Sequence, residues 1–159
     1  MIVVADTSPL ITLAQIGCLD QLKYLFGTIH IPSEVELELN AKGPGQGVPD
    51  VLALMQDWVV VRAPTSIRSF PGLHPGEAAA ISLALEQTAR LLIDEKAGRK
   101  VAAANGVTVM GTVGVLVEAA ELGSLDLADS FAKLKATNFR FPDSALDKIL
   151  GQFYERHPK

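Results

Sequence analysis

The chain of 159 residues is 48% hydrophobic and has a formal net charge of −4, which fits one globular domain and excludes a disordered chain. The acidic balance argues against a protein that coats nucleic acid through a broad basic face. No apolar run approaches the length of a membrane span, and the single Cys18 excludes an internal disulfide. The stretch after Met1 lacks a basic region and a small-residue cleavage site, so we expect no signal peptide and a cytoplasmic protein.

Short apolar runs and helical patterns alternate along the chain. Strands are predicted, in chain order, at "MIVVAD", "TIHIP", "VVVRAP", "RLLID" and "VTVMG". Helices are predicted, in the same order, at "SPLITLAQIG", "LDQLKYLF", "SEVELELN", "DVLALMQDW", "GEAAAISLALEQTA", "EKAGRKVAAANG", "TVGVLVEAAELG", "DLADSFAKLKA" and "PDSALDKILGQFYERHPK". In the first helix, Ser8 is expected at the N-cap and Pro9 at the first helical position. The "GPGQG" loop is too short to separate two domains.

This alternation predicts the fold class. Strands and helices in this order form an α/β domain with a mostly parallel central sheet of about four to five strands. The strands are nearly all apolar, which indicates that helices cover both faces of the sheet in a three-layer α/β/α arrangement. We expect residues 1–159 to form one domain, with a core over about residues 1–123 and C-terminal helices over about residues 124–159.

Two aspartates stand where predicted strands end. Asp6 follows the first strand, and Asp94 ends "RLLID". Ligands bind outside the carboxyl ends of the strands in an open parallel sheet, so both residues lie where this fold forms its sites. The alternative is that each aspartate only caps the helix that follows it.

Two glutamates lie on apolar rows of predicted helices. Glu77 is in a first turn, and Ile81 and Ala84 follow it on the same face. Glu38 comes three residues after Val35 and therefore also borders a core-facing row. Carboxylates are seldom placed in such rows unless they are paired or bound to a cation. For Glu77, compensation of the helix dipole is the alternative.

These four acids come from four separate elements and would repel one another if they met. A hard divalent cation such as Mg²⁺ or Mn²⁺ would offset the repulsion, since both ions prefer oxygen ligands. Carboxylate clusters that hold such ions serve phosphodiester hydrolysis. We therefore expect the four carboxyl groups to gather in one pocket at the carboxyl edge of the sheet, with the first and fourth strands as neighbours.

Four segments together resemble the PIN-domain superfamily of metal-dependent nucleases. They run in order from Ile2 to Gly123 and read "VVADTSPLITLAQIG", "IHIPSEVELEL", "HPGEAAAISLALE" and "LLIDEKAGRKVAAANGVTVMGTVGVL". The version with "DTSPLI", "LHPGEAAAI", "IDEKAGR" and "GTVG" looks like a bacterial and archaeal branch of predicted nucleic-acid-binding proteins. The resemblance thus covers most of the chain.

The resemblance implies an activity and a set of site residues. It implies cleavage of RNA with one or two bound Mg²⁺ or Mn²⁺ ions. The residues that it implies as metal ligands and catalytic acids are Asp6, Glu38, Glu77 and Asp94. The hydroxyl that follows the family's first aspartate falls on Thr7 or Ser8, a candidate contact to phosphate. Arg99 is a further candidate contact to a substrate phosphate.

Two positions depart from the pattern of toxin-like relatives of the VapC type. Many of them have a second aspartate where this chain has Lys96, and here Glu95 is adjacent to Asp94 instead. Thr112 stands where a further acid sometimes occurs, and we count it as a candidate substrate contact. Glu95 is more typical of a first-turn helix residue than of a ligand, so a second metal position stays open.

The leading hypothesis is a Mg²⁺- or Mn²⁺-dependent endoribonuclease. The wider family includes the toxins of toxin–antitoxin pairs, which implies a small antitoxin protein as a partner. A competing hypothesis is a catalytically silent PIN-like module that binds nucleic acid or protein. A third, phosphorylation of Asp6 as in a receiver domain, needs a second aspartate that "ADTSPL" lacks.

The last predicted helix carries an apolar row. Leu146, Ile149, Leu150 and Phe153 recur at helical spacing. The row packs either on this domain or against a second copy, and the sequence leaves both alternatives open. We expect a homodimer.

Overall fold

Five strands form one parallel sheet in the computed structural model, which describes residues 1–42, residue 45 and residues 47–158. The strands are β1 (Val3–Ala5), β2 (Ile29–Ile31), β3 (Val59–Val61), β4 (Arg90–Leu92) and β5 (Val109–Met110). Their order across the sheet is β3-β2-β1-β4-β5, and every neighbouring pair is parallel. The predicted neighbours β1 and β4 pair directly, with Val4 opposite Leu91.

Helices connect the strands and continue the chain after β5. The helices in the described part of the chain are α1 (Thr7–Gln15), α2 (Asp20–Phe26), α3 (Ser33–Ala41), α4 (Val51–Leu54), α5 (Pro75–Gln87), α6 (Lys96–Ala104), α7 (Thr112–Glu121), α8 (Leu127–Lys135) and α9 (Asp143–Arg156). Each predicted strand and helix is present, so the predicted α/β class is confirmed.

The two faces of the sheet pack against different helices. Successive residues of a strand point to opposite faces, and in β1 the side chains of Val3 and Ala5 join one apolar cluster while Val4 joins the other. The first cluster includes side chains from α1, α2, α3, α7 and α8, and the second includes side chains from α5 and α6. The predicted three-layer arrangement is therefore confirmed.

The start of α1 differs from the sequence prediction. Asp6, in an extended conformation, is the N-cap residue, and Thr7 is the first helical residue. The predicted N-cap at Ser8 and first helical position at Pro9 are therefore wrong. The helix starts earlier because Thr7 already adopts helical geometry directly after the strand, which leaves Pro9 inside the first turn, where a missing N–H costs nothing.

Two other stretches bear on the sequence prediction. In the predicted "GPGQG" loop, residues 43, 44 and 46 lie outside the described residues. In α9, Leu146 is buried, and Ile149, Leu150 and Phe153 pack against the first apolar cluster, so this apolar row faces the domain itself. Among the described residues, no helix combines the length and the apolar character that a membrane crossing requires.

Candidate functional site

Asp6 is held at the carboxyl end of β1, between the sheet and α1. Its backbone N–H donates to the carbonyl of Leu92 at 2.9 Å, and the residue is only 4% exposed. The side chain makes no capping hydrogen bond to α1, so the capping alternative does not account for this carboxylate. Burial raises the pKa of Asp6 to about 7, against an opposing effect of the Thr7 N–H, and the nearby carboxylates of Glu77, Glu38 and Asp94 raise it further.

Glu38 reaches the same region from α3. Its Oε1 atom lies 3.2 Å from Nδ1 of His74, but that nitrogen already accepts a hydrogen bond from the Gly76 N–H. A ring nitrogen that accepts cannot also donate, so Oε1 is buried without a hydrogen-bond donor in the described part of the chain. A Cβ atom at Gly76 would overlap this oxygen, so the absence of a side chain there makes room for Glu38.

Glu77 belongs to the first turn of α5. His74 and Glu77 form a reciprocal capping pair, in which the His74 N–H donates to Glu77 Oε1 at 3.0 Å. Burial raises the pKa of Glu77, and the neighbouring carboxylate of Glu95 raises it further. Glu95 is the N-cap of α6, where it accepts a hydrogen bond from Gly98, and this bond lowers its pKa. The surroundings thus make Glu77 harder to ionise, and Glu95 easier to ionise, than an exposed glutamate.

Asp94 is fixed by the start of α7. Its two oxygens accept hydrogen bonds from the backbone N–H and the hydroxyl of Thr112, at 2.7 Å and 2.6 Å. Burial raises the pKa of Asp94, whereas the bonds from Thr112 and the charge of Arg99 oppose this increase. The net effect of the protein is therefore to make Asp94 harder to ionise than an exposed aspartate.

Three of the four predicted acids line one cleft of about 220 Å³. The residues that line this acidic cleft are Asp6, Thr7, Ser8, Glu38, Lys42, His74, Glu77 and Glu95. Asp94 does not line it and lies in two adjoining cavities instead. The expectation of a single pocket therefore holds for three acids, and Asp94 stands beside them, near enough to affect the pKa of Asp6. Its hydrogen bonds to Thr112 direct the carboxylate toward α7, which explains the difference.

The structure places the candidate substrate contacts in different surroundings. Ser8 is exposed between the acidic cleft and an adjoining cavity. Thr7 is buried, and its hydroxyl has no hydrogen-bond partner among the described residues. Thr112 is fully buried and bound to Asp94, so it positions that carboxylate. Arg99 donates to the carbonyl of Ile93 at 2.9 Å and lines a cavity with Asp94.

Sequence reasoning gave little or no weight to several residues around the cleft. His74 was identifiable from the "HPGE" stretch as a cap, and it also lines the cleft. Lys42 follows α3 and lines the same cleft. Phe139 and Arg140, between α8 and α9, border the two cavities that contain Asp94. The signal for these two was an aromatic-basic stretch, "NFRF", that no helix or strand pattern explained.

The donor set of the acidic cleft fits a hard divalent cation. Every acid there offers carboxylate oxygens, which Mg²⁺ and Mn²⁺ prefer, and Glu38 presents a buried oxygen that nothing in the described chain satisfies. No three His, Cys, Asp or Glu side chains in that part of the chain already stand at metal-binding spacing. Cation binding would therefore require these side chains to move toward one another.

Comparisons with known proteins concern the family and the fold. The sequence model of the DUF3368 family, described as a PIN domain, matches residues 2–155. No curated protein sequence matches the chain. A solved structure of a PilT N-terminus domain protein from the hyperthermophilic archaeon Sulfolobus solfataricus P2 is similar, with a TM-score of 0.56 and 20% identity over 79% of this chain and 95% of that one. At this identity the similarity concerns the fold alone. Because the family match spans nearly the whole sequence, the chain belongs to the PIN domain family.

Proposed function

We propose that this chain is a metal-dependent ribonuclease whose active site is the acidic cleft. The observation that carries the proposal is the convergence of Asp6, Glu38 and Glu77 from three separate elements, with Asp94 beside them. Asp6 is costly to ionise, because burial and the neighbouring carboxylates of Glu77, Glu38 and Asp94 raise its pKa, so the presence of this cluster at the sheet's carboxyl edge indicates a functional role. Membership of the PIN domain family, which commonly includes nucleases, supports the same reaction class.

The proposed cofactor is Mg²⁺ or Mn²⁺, with these four carboxylates as its ligands. When bound, such a cation lowers the pKa of a water molecule and stabilises negative charge on phosphate oxygens. The unsatisfied oxygen of Glu38 and the costly charge of Asp6 are the features that a cation would stabilise. Asp6, Glu38, Glu77 and Asp94 are also the proposed catalytic residues.

Other side chains around the cleft would orient the substrate. Ser8 is exposed where the cleft meets its neighbouring cavity, so its hydroxyl is placed to donate to a phosphate oxygen. Lys42 lines the cleft, where its positive charge would attract the negatively charged phosphate backbone of an RNA strand. Thr112 prevents Asp94 from rotating, because both carboxylate oxygens accept its hydrogen bonds.

A role as the toxin of a toxin–antitoxin pair is a finer form of this proposal. It rests on the resemblance of the sequence to toxin-like relatives, and it adds a small antitoxin protein as partner. Co-expression with the product of an adjacent short reading frame, followed by co-purification, tests this partner. A chain that inhibits growth alone and not with that product would support the toxin role.

The second candidate function is a catalytically silent PIN domain that binds nucleic acid or protein. Two observations favour it: Lys96 stands where many toxin-like relatives have an aspartate, and no three acids in the described chain stand at metal-binding spacing. The two candidates differ in one measurable property, because only the first requires cleavage that depends on a divalent cation.

The deciding experiment measures cleavage of single-stranded RNA with Mn²⁺ and with EDTA. We expect the parent protein to cleave with Mn²⁺ and to be inactive in EDTA. Asp6→Asn keeps the shape of the side chain and removes one ligand charge, so it should show no cleavage above background.

Asp20→Asn is the matched control, because Asp20 is exposed in the first turn of α2 and lines neither the acidic cleft nor the cavities at Asp94. This variant should cleave at the parent rate. Absence of cleavage by the parent with Mn²⁺, or equal cleavage by Asp6→Asn, would contradict the ribonuclease proposal and leave the silent module as the better account.

A further inference from the structure

The segment between α8 and α9 holds two aromatic rings in a fixed arrangement. We call Asn138, Phe139, Arg140 and Phe141 the aromatic loop. The rings of Phe139 and Phe141 stack with a centroid distance of 6.2 Å and an interplanar angle of 10°. Thr137 anchors the loop, since its hydroxyl donates to the carbonyl of Leu134 at 2.7 Å and accepts from the Phe139 N–H at 3.1 Å.

The aromatic loop borders both cavities that contain Asp94. One cavity, of about 530 Å³, is lined by Phe139 and Arg140 of the loop together with Ser8, Asp94 and Lys96. The second cavity, of about 470 Å³, adds Arg99 and Phe141. Both rings are half-buried against the first apolar cluster, and Arg140 is exposed. The loop is thus part of the wall of these cavities rather than a free surface.

These cavities continue the acidic cleft. The larger cavity shares Ser8 and Glu95 with the cleft, and the two cavities share Asp94, Phe139 and Arg140. A groove therefore runs from Glu38 past Asp94 to Phe141.

The charge along this groove changes sign. Carboxylates dominate the cleft, whereas Lys96, Arg99 and Arg140 lie around the far end. Among the described residues, none of these three cations has a carboxylate within 4.0 Å in an ion pair. Arg99 donates to the carbonyl of Ile93 and its charge acts on Asp94, so Lys96 and Arg140 are the cations of this set that the groove offers to an anionic ligand.

We infer that the aromatic loop and the cations beside it bind the nucleotides of single-stranded RNA that flank the phosphate to be cleaved. Phe139 would stack on an unpaired base, and Arg140 would bind a backbone phosphate. This inference rests on the proposed function, because the groove leads to the acidic cleft and would orient an RNA strand along it.

The chemistry of the loop favours a single strand over a duplex. A half-buried aromatic ring offers one face to a partner, and an RNA base presents a free face only when it is not stacked in a helix. Cations spaced along a groove complement the phosphates of a polyanionic strand. The combination of stacking ring and adjacent cation is typical of proteins that bind single-stranded nucleic acid.

The test measures the affinity of the full chain for a fluorescent single-stranded RNA in EDTA, with fluorescence anisotropy at several salt concentrations. Phe139→Leu keeps an apolar side chain against the core and removes the flat ring, so affinity should fall about tenfold. The same variant should bind a strand with abasic nucleotides as well as the parent does. Arg140→Gln should weaken binding and reduce the slope of log affinity against log salt by about 0.7.

Matched controls use residues that line none of the three cavities. Tyr24→Leu removes an aromatic ring that is 62% exposed on α2, and Arg68→Gln removes an exposed positive charge. Both should bind RNA as the parent does. Thermal melting of each variant shows whether it is folded, so loss of structure is distinguished from loss of a contact.

Three outcomes would overturn the inference. The first is equal RNA affinity of Phe139→Leu, Arg140→Gln and parent. The second is an equal loss of affinity by Phe139→Leu for normal and abasic strands. The third is a change of oligomeric state by Arg140→Gln with unchanged RNA binding, which would assign the loop to a contact between copies.

The binding experiment does not measure cleavage, so its result is independent of the test of the ribonuclease proposal. Suppose that the parent binds RNA, that binding depends on Phe139 and Arg140 as expected, and that no cleavage occurs. This result would contradict only the nuclease activity. Cleavage with Mn²⁺ by a parent whose RNA affinity is independent of the loop would contradict only the loop inference.

Discussion

Asp6 ends the first strand and is costly to ionise in the folded protein. Its pKa rises from 3.8 to about 7, mainly through burial. A carboxyl group whose folded pKa is raised contributes stability below its unfolded pKa, and this contribution is lost as pH rises through the folded pKa. The protein without metal should therefore lose stability between about pH 4 and pH 7 because of this residue.

The first prediction compares the parent protein with Asp6→Asn in EDTA. At pH 8 the variant should be more stable by up to about 4 kcal/mol, since it does not pay the cost of a buried charge. At pH 4 the two should be nearly equal, because Asp6 is then largely protonated. Urea denaturation at both pH values measures the difference. A difference that is the same at both would show that Asp6 does not titrate in this range.

The second prediction concerns the hydroxyl that holds Asp94. Thr112→Val has nearly the same shape but leaves Asp94 Oδ2 without the donor that now lies 2.6 Å away. The free energy of unfolding at pH 7 should fall by about 1.5–3 kcal/mol, the range for hydrogen bonds to charged groups. Thr112→Ser should restore most of this loss, and urea denaturation measures both.

Thr7→Val is the matched control for that change. The Thr7 hydroxyl is buried but has no partner among the described residues. Its removal should therefore leave the free energy of unfolding unchanged or raise it slightly. Equal destabilisation by Thr7→Val and Thr112→Val would mean that the bond to Asp94 contributes nothing specific.

At the scale of single elements, the start of α5 combines two roles. The side chains of His74 and Glu77 accept hydrogen bonds from backbone N–H groups at the N-terminus of α5. The same turn brings both residues to the acidic cleft. Gly76 lies between them, and a side chain there would displace Glu38. This turn thus couples the capping of a helix to the position of a carboxylate that belongs to α3.

The third prediction is that Gly76→Ala separates folding from function. The new Cβ would displace only the end of the flexible Glu38 side chain, so the protein should fold. With Glu38 moved out of the cleft, stabilisation by Mn²⁺ and cleavage of RNA should both be lost. Gly151→Ala in α9 meets nothing within 4 Å and should raise stability by about 0.5–1 kcal/mol with full activity. An unchanged response of Gly76→Ala to Mn²⁺ would contradict the proposed role of Glu38.

At the scale of the whole molecule, the sheet brings separate segments to one edge. The order β3-β2-β1-β4-β5 places β1 between β2 and β4, so the segments that follow these three strands lie side by side. Asp6, α3 with Glu38, and Asp94 belong to these segments. The parallel arrangement is what makes the acidic cleft, because every strand ends at the same edge.

The fourth prediction is that Mn²⁺ raises the melting temperature of the parent protein. An ion that binds only the folded state stabilises it by about 2.7 kcal/mol at a hundredfold excess over its Kd. For a domain of this size, that corresponds to an increase of about 5–10 °C. Asp6→Asn should gain much less, and calorimetry with and without Mn²⁺ measures both. Melting curves that are equal and independent of Mn²⁺ would mean that Asp6 is not a metal ligand.

The fifth prediction is the homodimer, which we propose from the sequence. The sequence argument for a dimer was the apolar row of α9. In the folded chain this row packs against the first apolar cluster, so it gives less support to a contact between copies. Large exposed apolar side chains lie elsewhere, including Leu37, Val60 and Val61. Light scattering at micromolar concentration measures the mass, and the mass of a single chain would contradict the dimer.

Much of the fold was predictable because its signals are local. Apolar β-branched runs and helical rows are properties of neighbouring residues, and the alternation of the two requires a parallel sheet with helices on both faces. The first and last residues of helices were less predictable, as α1 shows. Both Asp6 and Ser8 are residue types that favour an N-cap, and only the direction of the chain after β1 decides that Asp6 takes this position.

The sequence by itself determined the class of the fold, and it singled out the four acids as candidates because strand ends and helical rows show where a carboxylate is unusual. The tertiary structure alone decided which acids share a cleft. It placed Glu95 beside Glu77, turned Asp94 toward Thr112 and brought Phe139 to the groove. These contacts join residues far apart in the chain, and they depend on strand order and helix packing, which no local pattern encodes.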